Sequence, residues 1–131
     1  MSYRLPKNER LHSKKSIKEL FDKGSSFFLY PFKVLYVTNE GGHAETNQVL
    51  FSVSKRKVKR AVHRNHIRRR VKEAYRLNQD VISSLDRKSR IAFIYVSSNL
   101  EDFHTIQHKV QRILNKIAGS SKQTNQIDHD E

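Results

Sequence analysis

The 131-residue chain contains no cysteine and no tryptophan, and only four glycines and two prolines. Without cysteine there is no disulfide and no thiolate metal site, a composition compatible with a reducing cytosol. Without tryptophan, and with little leucine in its most basic stretch, the chain lacks the bulky apolar face that a membrane-surface helix sets against its cations. Glycine is too sparse for a phosphate-cradling loop, and Gly24, Gly41, Gly42 and Gly119 all sit where a stop or a turn is expected. The opening residues MSYRLPKNER hold no apolar run, and no stretch approaches the run of about 20 apolar residues that spans a membrane. Neither a signal peptide nor a membrane helix is expected, and the expected compartment is the cytoplasm. Acids are scarce as well, 13 Asp and Glu against 26 Lys and Arg. A metal-dependent nuclease needs several carboxylates brought together, whereas these lie mostly in loops, at caps or beside bases. No catalytic residue and no protein-bound metal or cofactor is therefore expected.

What is abundant is positive charge, a formal +13. Between Lys55 and Arg76 the chain reads KRKVKRAVHRNHIRRRVKEAYR, with 11 Lys or Arg and a single acid, Glu73. Residues four apart on a helix are neighbours, so Arg60, Arg64, Arg68, Lys72 and Arg76 form a ladder of like charges. Its four repulsive pairs cost an isolated helix about 1 to 2 kcal/mol. A domain with net stability of about 5 to 15 kcal/mol does not usually carry that penalty without a polyanion to relieve it. Ordinary levels of Phe, Tyr, Ile and Val argue for a folded basic domain and against a disordered tail. Nucleic acid is the default ligand of such a field.

The length suits one domain: residues 1–119 read as a single RNA-binding domain with a flexible basic arm over 1–14, and 120–131 as a disordered polar tail. Ser16 with Glu19 has capping-box spacing ahead of Ile17, Leu20 and Phe21, Ser13 offers an equivalent cap, and Gly24 is the stop. Phe32 to Thr38 and Gln48 to Ser54 read as strands, and the polar, Gly-containing segment between them predicts an antiparallel hairpin. Ser25 to Tyr30 is a candidate short edge strand. From Ala61 to Asn78 the residues are helix formers. At 100° per residue Ile67, Val71 and Ala74 share a face with Tyr75 at its border, while Asn65, Arg68, Arg69, Lys72 and Arg76 form an adjoining strip. A helical turn falls around Val81 to Leu85. RIAFIYVS is apolar on both parities, the mark of a central strand buried on two faces. Ile106, Val110, Ile113, Leu114 and Ile117 predict a last helix closed by Gly119. The order is helix, two or three strands, basic helix, strand, helix. It predicts an α+β domain with a mixed sheet packed by helices. A strand-helix-strand unit returning parallel would ordinarily cross over right-handed.

His63 and His66 suit RNA contact or solvated surface better than acid-base work, and His104 with His108 suits a solvated face better than a metal pair lacking a third ligand. Phe21, Phe32, Tyr36 and Phe51 are candidate base-stacking rings, although an aromatic on a strand is more often core.

The run FSVSKRKVKRAVHRNHIRRRVKEAYR resembles the signature of the bacterial ribonuclease P protein subunit family. Its elements are Lys55 and Arg56, Arg60 with Ala61, Arg64 and Asn65, Ile67, Arg68 and Arg69, then Val71, Lys72 and Glu73. RLHSKKSIKELFDKGSS is similar to the family's opening, KVLYV followed by a hairpin and FSVSK fits it too, and the likeness runs from about Asn8 to Ala118. The chain departs from it where Val58 or Lys59 replaces a common glycine, Arg70 an aliphatic residue, and Lys72 an arginine. The resemblance implies a four-stranded sheet with a left-handed βαβ crossover. It implies that an RNA subunit with Mg²⁺ hydrolyses precursor tRNA, the protein assisting without an obligate protein partner. Lys55, Arg56, Lys57, Arg60, Arg64, Asn65, Arg68, Arg69, Lys72 and Arg76 would contact the catalytic RNA. Ile17, Phe21, Phe32, Lys33 and Tyr36 would line a cleft for the 5′ leader. The rival readings are a ribosomal or ribosome-assembly protein, and a DNA-binding protein with its basic helix in a major groove.

Overall fold

The computed structural model describes residues 9–39, 46–83, 85 and 88–122. Its elements are α1 (Lys14–Lys23), β1 (Ser25–Leu29), β2 (Phe32–Asn39), β3 (Gln48–Val53), α2 (Ala61–Asn78), α3 (Asp80–Ser83), β4 (Lys88–Tyr95) and α4 (Phe103–Lys122). Four strands form one mixed sheet in the order β1-β2-β4-β3, so the domain is α+β as expected.

The expected β2–β3 hairpin does not form. β4 lies between those strands, antiparallel to β2 and parallel to β3. A strand apolar on both parities gains most where both of its faces are covered. That site is the middle of the sheet, which displaces β3 to the outside and makes β3–α2–β4 the parallel crossover. β1 is the other edge, paired with β2 from Ser25↔Tyr36 to Leu29↔Phe32. The loop expected to make the hairpin falls largely on 40–45, outside the described residues.

Helices cover the two faces of the sheet separately. α2 and α4 bury Ile67, Val71, Ala74, Tyr75, Ile106, Val110, Ile113, Leu114 and Ile117 against Phe32, Val34, Ile91, Phe93 and Tyr95. On the opposite face Leu20 of α1 packs with Leu11, Leu35 and Ala92. Ser13, not Ser16, caps α1, its Oγ accepting from the Ser16 N–H at 3.3 Å. Gly24 closes that helix with its N–H on the Leu20 carbonyl, and a Cβ there would lie 2.5 Å from the same oxygen. Close approach, not an unusual φ, is what requires glycine at that position.

Two further boundaries move. The arm is not free up to Lys14: Arg10 bridges Val49 on the outer side of β3, the Leu11 N–H donates to the Val49 carbonyl at 2.8 Å, and Leu11 is buried. α4 runs through Gly119, where a side chain would meet nothing within 4 Å, and reaches Lys122. A mid-helix glycine costs only about 1 kcal/mol and does not by itself stop a helix. The rest of the expected arm and tail, 1–8 and 123–131, lies outside the described residues.

Candidate nucleic-acid interface

α2 has the boundaries that its run of helix formers predicts and the buried face that its periodicity predicts, Ile67, Val71 and Ala74 with Tyr75. Its lead-in is held from below. Val58 is buried, its N–H bonds the Ser54 carbonyl at 2.9 Å, and the Lys57 N–H reaches Ser54 Oγ at 3.3 Å. Lys55, Arg56, Lys57, Lys59 and Arg60 are left exposed. Ser54, Arg56, Lys57 and Val96 line an open depression of about 460 Å³ at the ends of the two parallel strands. Arg60 is the N-cap of α2 in extended conformation, no side chain caps that end, and its first turn holds no acid. The partial positive charge of the helix N-terminus is therefore added to the cations around it.

The structure takes the expected ladder apart. One nitrogen of Arg64 donates to the carbonyls of Val58 and Lys59 at 3.0 and 2.8 Å, folding the lead-in against the helix. Arg68 donates to Asn65 Oδ1 at 2.8 Å, which leaves the Asn65 amide NH₂ available as a donor. Arg76 forks onto Glu73 at 3.0 and 2.8 Å, and that hydrogen-bonded pairing holds the Glu73 carboxyl below its usual range. Arg69 is exposed and Lys72 half-buried beside it. Arg70 faces away from this strip and donates to the Glu101 carbonyl at 2.8 Å, tying α2 to the start of α4. No local pattern signals that tie, because its acceptor is a backbone group 31 positions away.

The second expected surface needs correction. Strand alternation puts Lys33, Leu35 and Val37 on the α1 side of β2, and Phe32, Val34 and Tyr36 on the other. Phe32 has no exposed surface and meets Phe93 and Tyr95 edge-on, with ring centroids 6.0 and 5.6 Å apart. It is core and has nothing to offer a nucleotide. Tyr36 is half-buried against Phe27 on that same inner side, 5.9 Å between centroids, so it does not share a cleft with Lys33. Phe51, similarly, stacks on Phe93 within the core. The α1 side keeps Ile17, half-buried, with Phe21 and Lys33 exposed. Arg90 and Glu19 approach to 3.6 Å across it, linking β4 to α1. The sheet aromatic that joins Phe21 on this side is Phe28, directly opposite Lys33. Parity could have found it, since a strand pair turning at Tyr30 and Pro31 sets Phe28 across from Lys33.

His63 is half-buried, and His66, His104 and His108 are exposed. Among the described residues no three His, Asp or Glu side chains come together in a way that could hold a metal. No helix is long and apolar enough to cross a membrane, among the described residues.

Residues 5–118 match the model of the family described as ribonuclease P. The chain belongs to the ribonuclease P protein family. It is 38% identical over 123 residues to the ribonuclease P protein component of Porphyromonas gingivalis, covering 91% of this chain and 90% of that one. Against the ribonuclease P protein component of Desulforapulum autotrophicum it is 37% identical over 97 residues, covering 74% and 80%. The RNase P protein of Staphylococcus aureus superposes with a TM-score of 0.68 at 24% identity, covering 84% of this chain and 94% of that chain. That of Thermotoga maritima gives 0.68 at 24%, covering 82% and 96%. Ribonuclease P membership makes this chain an RNA-binding component of a tRNA-processing endoribonuclease, with ribonuclease P RNA as its partner. The ribosomal and major-groove readings are set aside by it.

Proposed function

We propose that this subunit holds the catalytic RNA and the substrate on different sides of its sheet. The lead-in and outer strip of α2, from Lys55 to Arg76, take phosphates of the ribonuclease P RNA. The α1 side, with Ile17, Phe21 and Lys33, takes the single-stranded 5′ leader of precursor tRNA. The RNA subunit cuts the phosphodiester bond with Mg²⁺ bound to RNA, and this chain supplies no catalytic group.

The observation that carries the reading is the uncapped, acid-free N-terminus of α2 and its exposed lead-in, standing opposite a separate face with an exposed aromatic and a lysine. Two polyanions that repel each other are drawn together when cations screen both. Each phosphate neutralised releases counterions, so affinity falls with salt at a slope of about 0.7 to 0.9 per phosphate.

Reconstituted cleavage tests this. At low Mg²⁺ the RNA subunit should need the protein to remove the leader, and the protein alone should cut nothing. Cleavage of precursor tRNA by the purified chain without RNA would overturn the assignment of chemistry to the RNA. Copurification with ribosomal RNA in place of ribonuclease P RNA would overturn the choice of partner.

A further inference from the structure

Phe28 and Tyr30 lie at the outer edge of the sheet, one strand beyond Lys33 of the α1-side surface. They are 60% and 46% exposed, more surface than a large ring normally leaves in water. Their centroids are 6.4 Å apart with planes tilted by 55°. Phe28 lies on the α1 side of the edge strand, and its row across the sheet continues through Lys33 and Ile94 to Ser52, next to the basic lead-in. Directly opposed residues have Cβ atoms about 5 Å apart, so the Lys33 ammonium reaches any group seated on the Phe28 ring.

Tyr30 is held in place by the loop after β4. Its hydroxyl lies 2.6 Å from Ser97 Oγ, and the Asn99 amide donates to it at 3.5 Å. Ser97 is buried and its Oγ also accepts the Asn99 N–H at 3.0 Å, while the Tyr95 hydroxyl donates to the Asn99 carbonyl. A fixed tyrosine, an exposed phenylalanine and a cation opposite suit a ligand with both a flat π face and a phosphate. That is a nucleotide of single-stranded RNA.

We propose that Phe28 and Tyr30 form a stacking platform for leader nucleotides beyond those held against α1, with Lys33 on the adjoining phosphate. The proposal rests on the leader-binding reading, and extends its path to the outer edge of the sheet.

The test measures equilibrium binding of precursor tRNAs, with leaders lengthened one nucleotide at a time, to the protein assembled with ribonuclease P RNA. Phe28→Ala should weaken binding about 5- to 100-fold, but only once the leader is long enough to reach the platform. Phe28→Trp should restore that step, and Phe28→Leu, apolar without a π face, should not. If Phe28→Ala matches wild type at every length while Phe21→Ala still flattens the length dependence, the platform is wrong and the leader reading stands. Wild-type binding independent of leader length would overturn the leader reading itself. A change in oligomeric state on Phe28→Ala, with leader binding intact, would overturn the platform in favour of an interface between copies of this chain.

Discussion

Replacing Arg64 and Arg69 separately with alanine should give two different phenotypes, although both are arginines of the same basic helix. Arg64 spends one nitrogen on the Val58 and Lys59 carbonyls, at 3.0 and 2.8 Å, and is half-buried. A hydrogen bond from a charged donor contributes about 1.5 to 3 kcal/mol. With both bonds on one nitrogen and water able to replace the more exposed one, Arg64→Ala should cost about 1 to 3 kcal/mol in all. For a chain of this size that lowers the melting temperature by about 3 to 12 °C. Arg69 is exposed with no such bond, so Arg69→Ala should change stability by no more than about 0.5 kcal/mol. It should instead reduce the salt dependence of RNA affinity by about 0.7 to 0.9 in slope, the equivalent of one phosphate. The assays are thermal denaturation of the free protein, and anisotropy titration of ribonuclease P RNA across a salt series. Arg64→Lys keeps the charge without the planar fork, so it should retain the salt slope and lose part of the melting temperature. An Arg64→Ala protein that melts like wild type would refute the claim that its guanidinium organises the lead-in.

Changing Arg68 and Arg69 together to Ala should lower the salt slope by about 0.7 to 0.9 for each phosphate left without its cation, and an unchanged slope would remove the outer strip of α2 from the interface. Phe32→Ala should cost about 3 to 5 kcal/mol as a core truncation, whereas Phe21→Ala, at 51% exposure, should leave the melting temperature nearly unchanged and weaken leader-dependent binding. The Tyr75 hydroxyl is pushed far above its ordinary value, chiefly by burial and next by the Glu9 carboxylate. Its contribution is therefore fully present below pH about 10 and is lost as pH rises beyond, by about 1.4 kcal/mol per pH unit. Tyr75→Phe should flatten that part of the alkaline denaturation curve, and an unaltered curve would count against it. Glu73 has the opposite sign. Its lowered carboxyl contributes above its unfolded value and fades as pH falls, so Glu73→Gln should remove about 0 to 1 kcal/mol at neutral pH and nothing in strong acid, as acid titration of both proteins would show.

Much of α2 is legible in the sequence. Its ends follow from the run of helix formers between Ala61 and Asn78, and its buried residues from a 3.6-residue period, with Tyr75 at the border of that face. The centrality of β4 is equally plain, because apolar side chains on both parities have to be covered twice. The expected α1-side cleft fails where it sets Phe32 and Tyr36 beside Lys33, since alternation along β2 forbids all three from sharing a face. The expected β2–β3 pairing fails for a different reason. Proximity in sequence favours a hairpin, but a strand that must be buried on both sides outcompetes it for the middle position.

Sequence alone therefore determined the charge, the amphipathic helix that carries it and the strand at the centre, since these depend on a residue and its near neighbours along one element. Tertiary structure decided which strand lies beside which, which aromatic rings reach water, and which arginines are already engaged. Arg70 finds its acceptor 31 residues away at Glu101, and Tyr30 finds Ser97 across the turn of the sheet. Such partners are set by how whole elements pack, and no local pattern of residues encodes them.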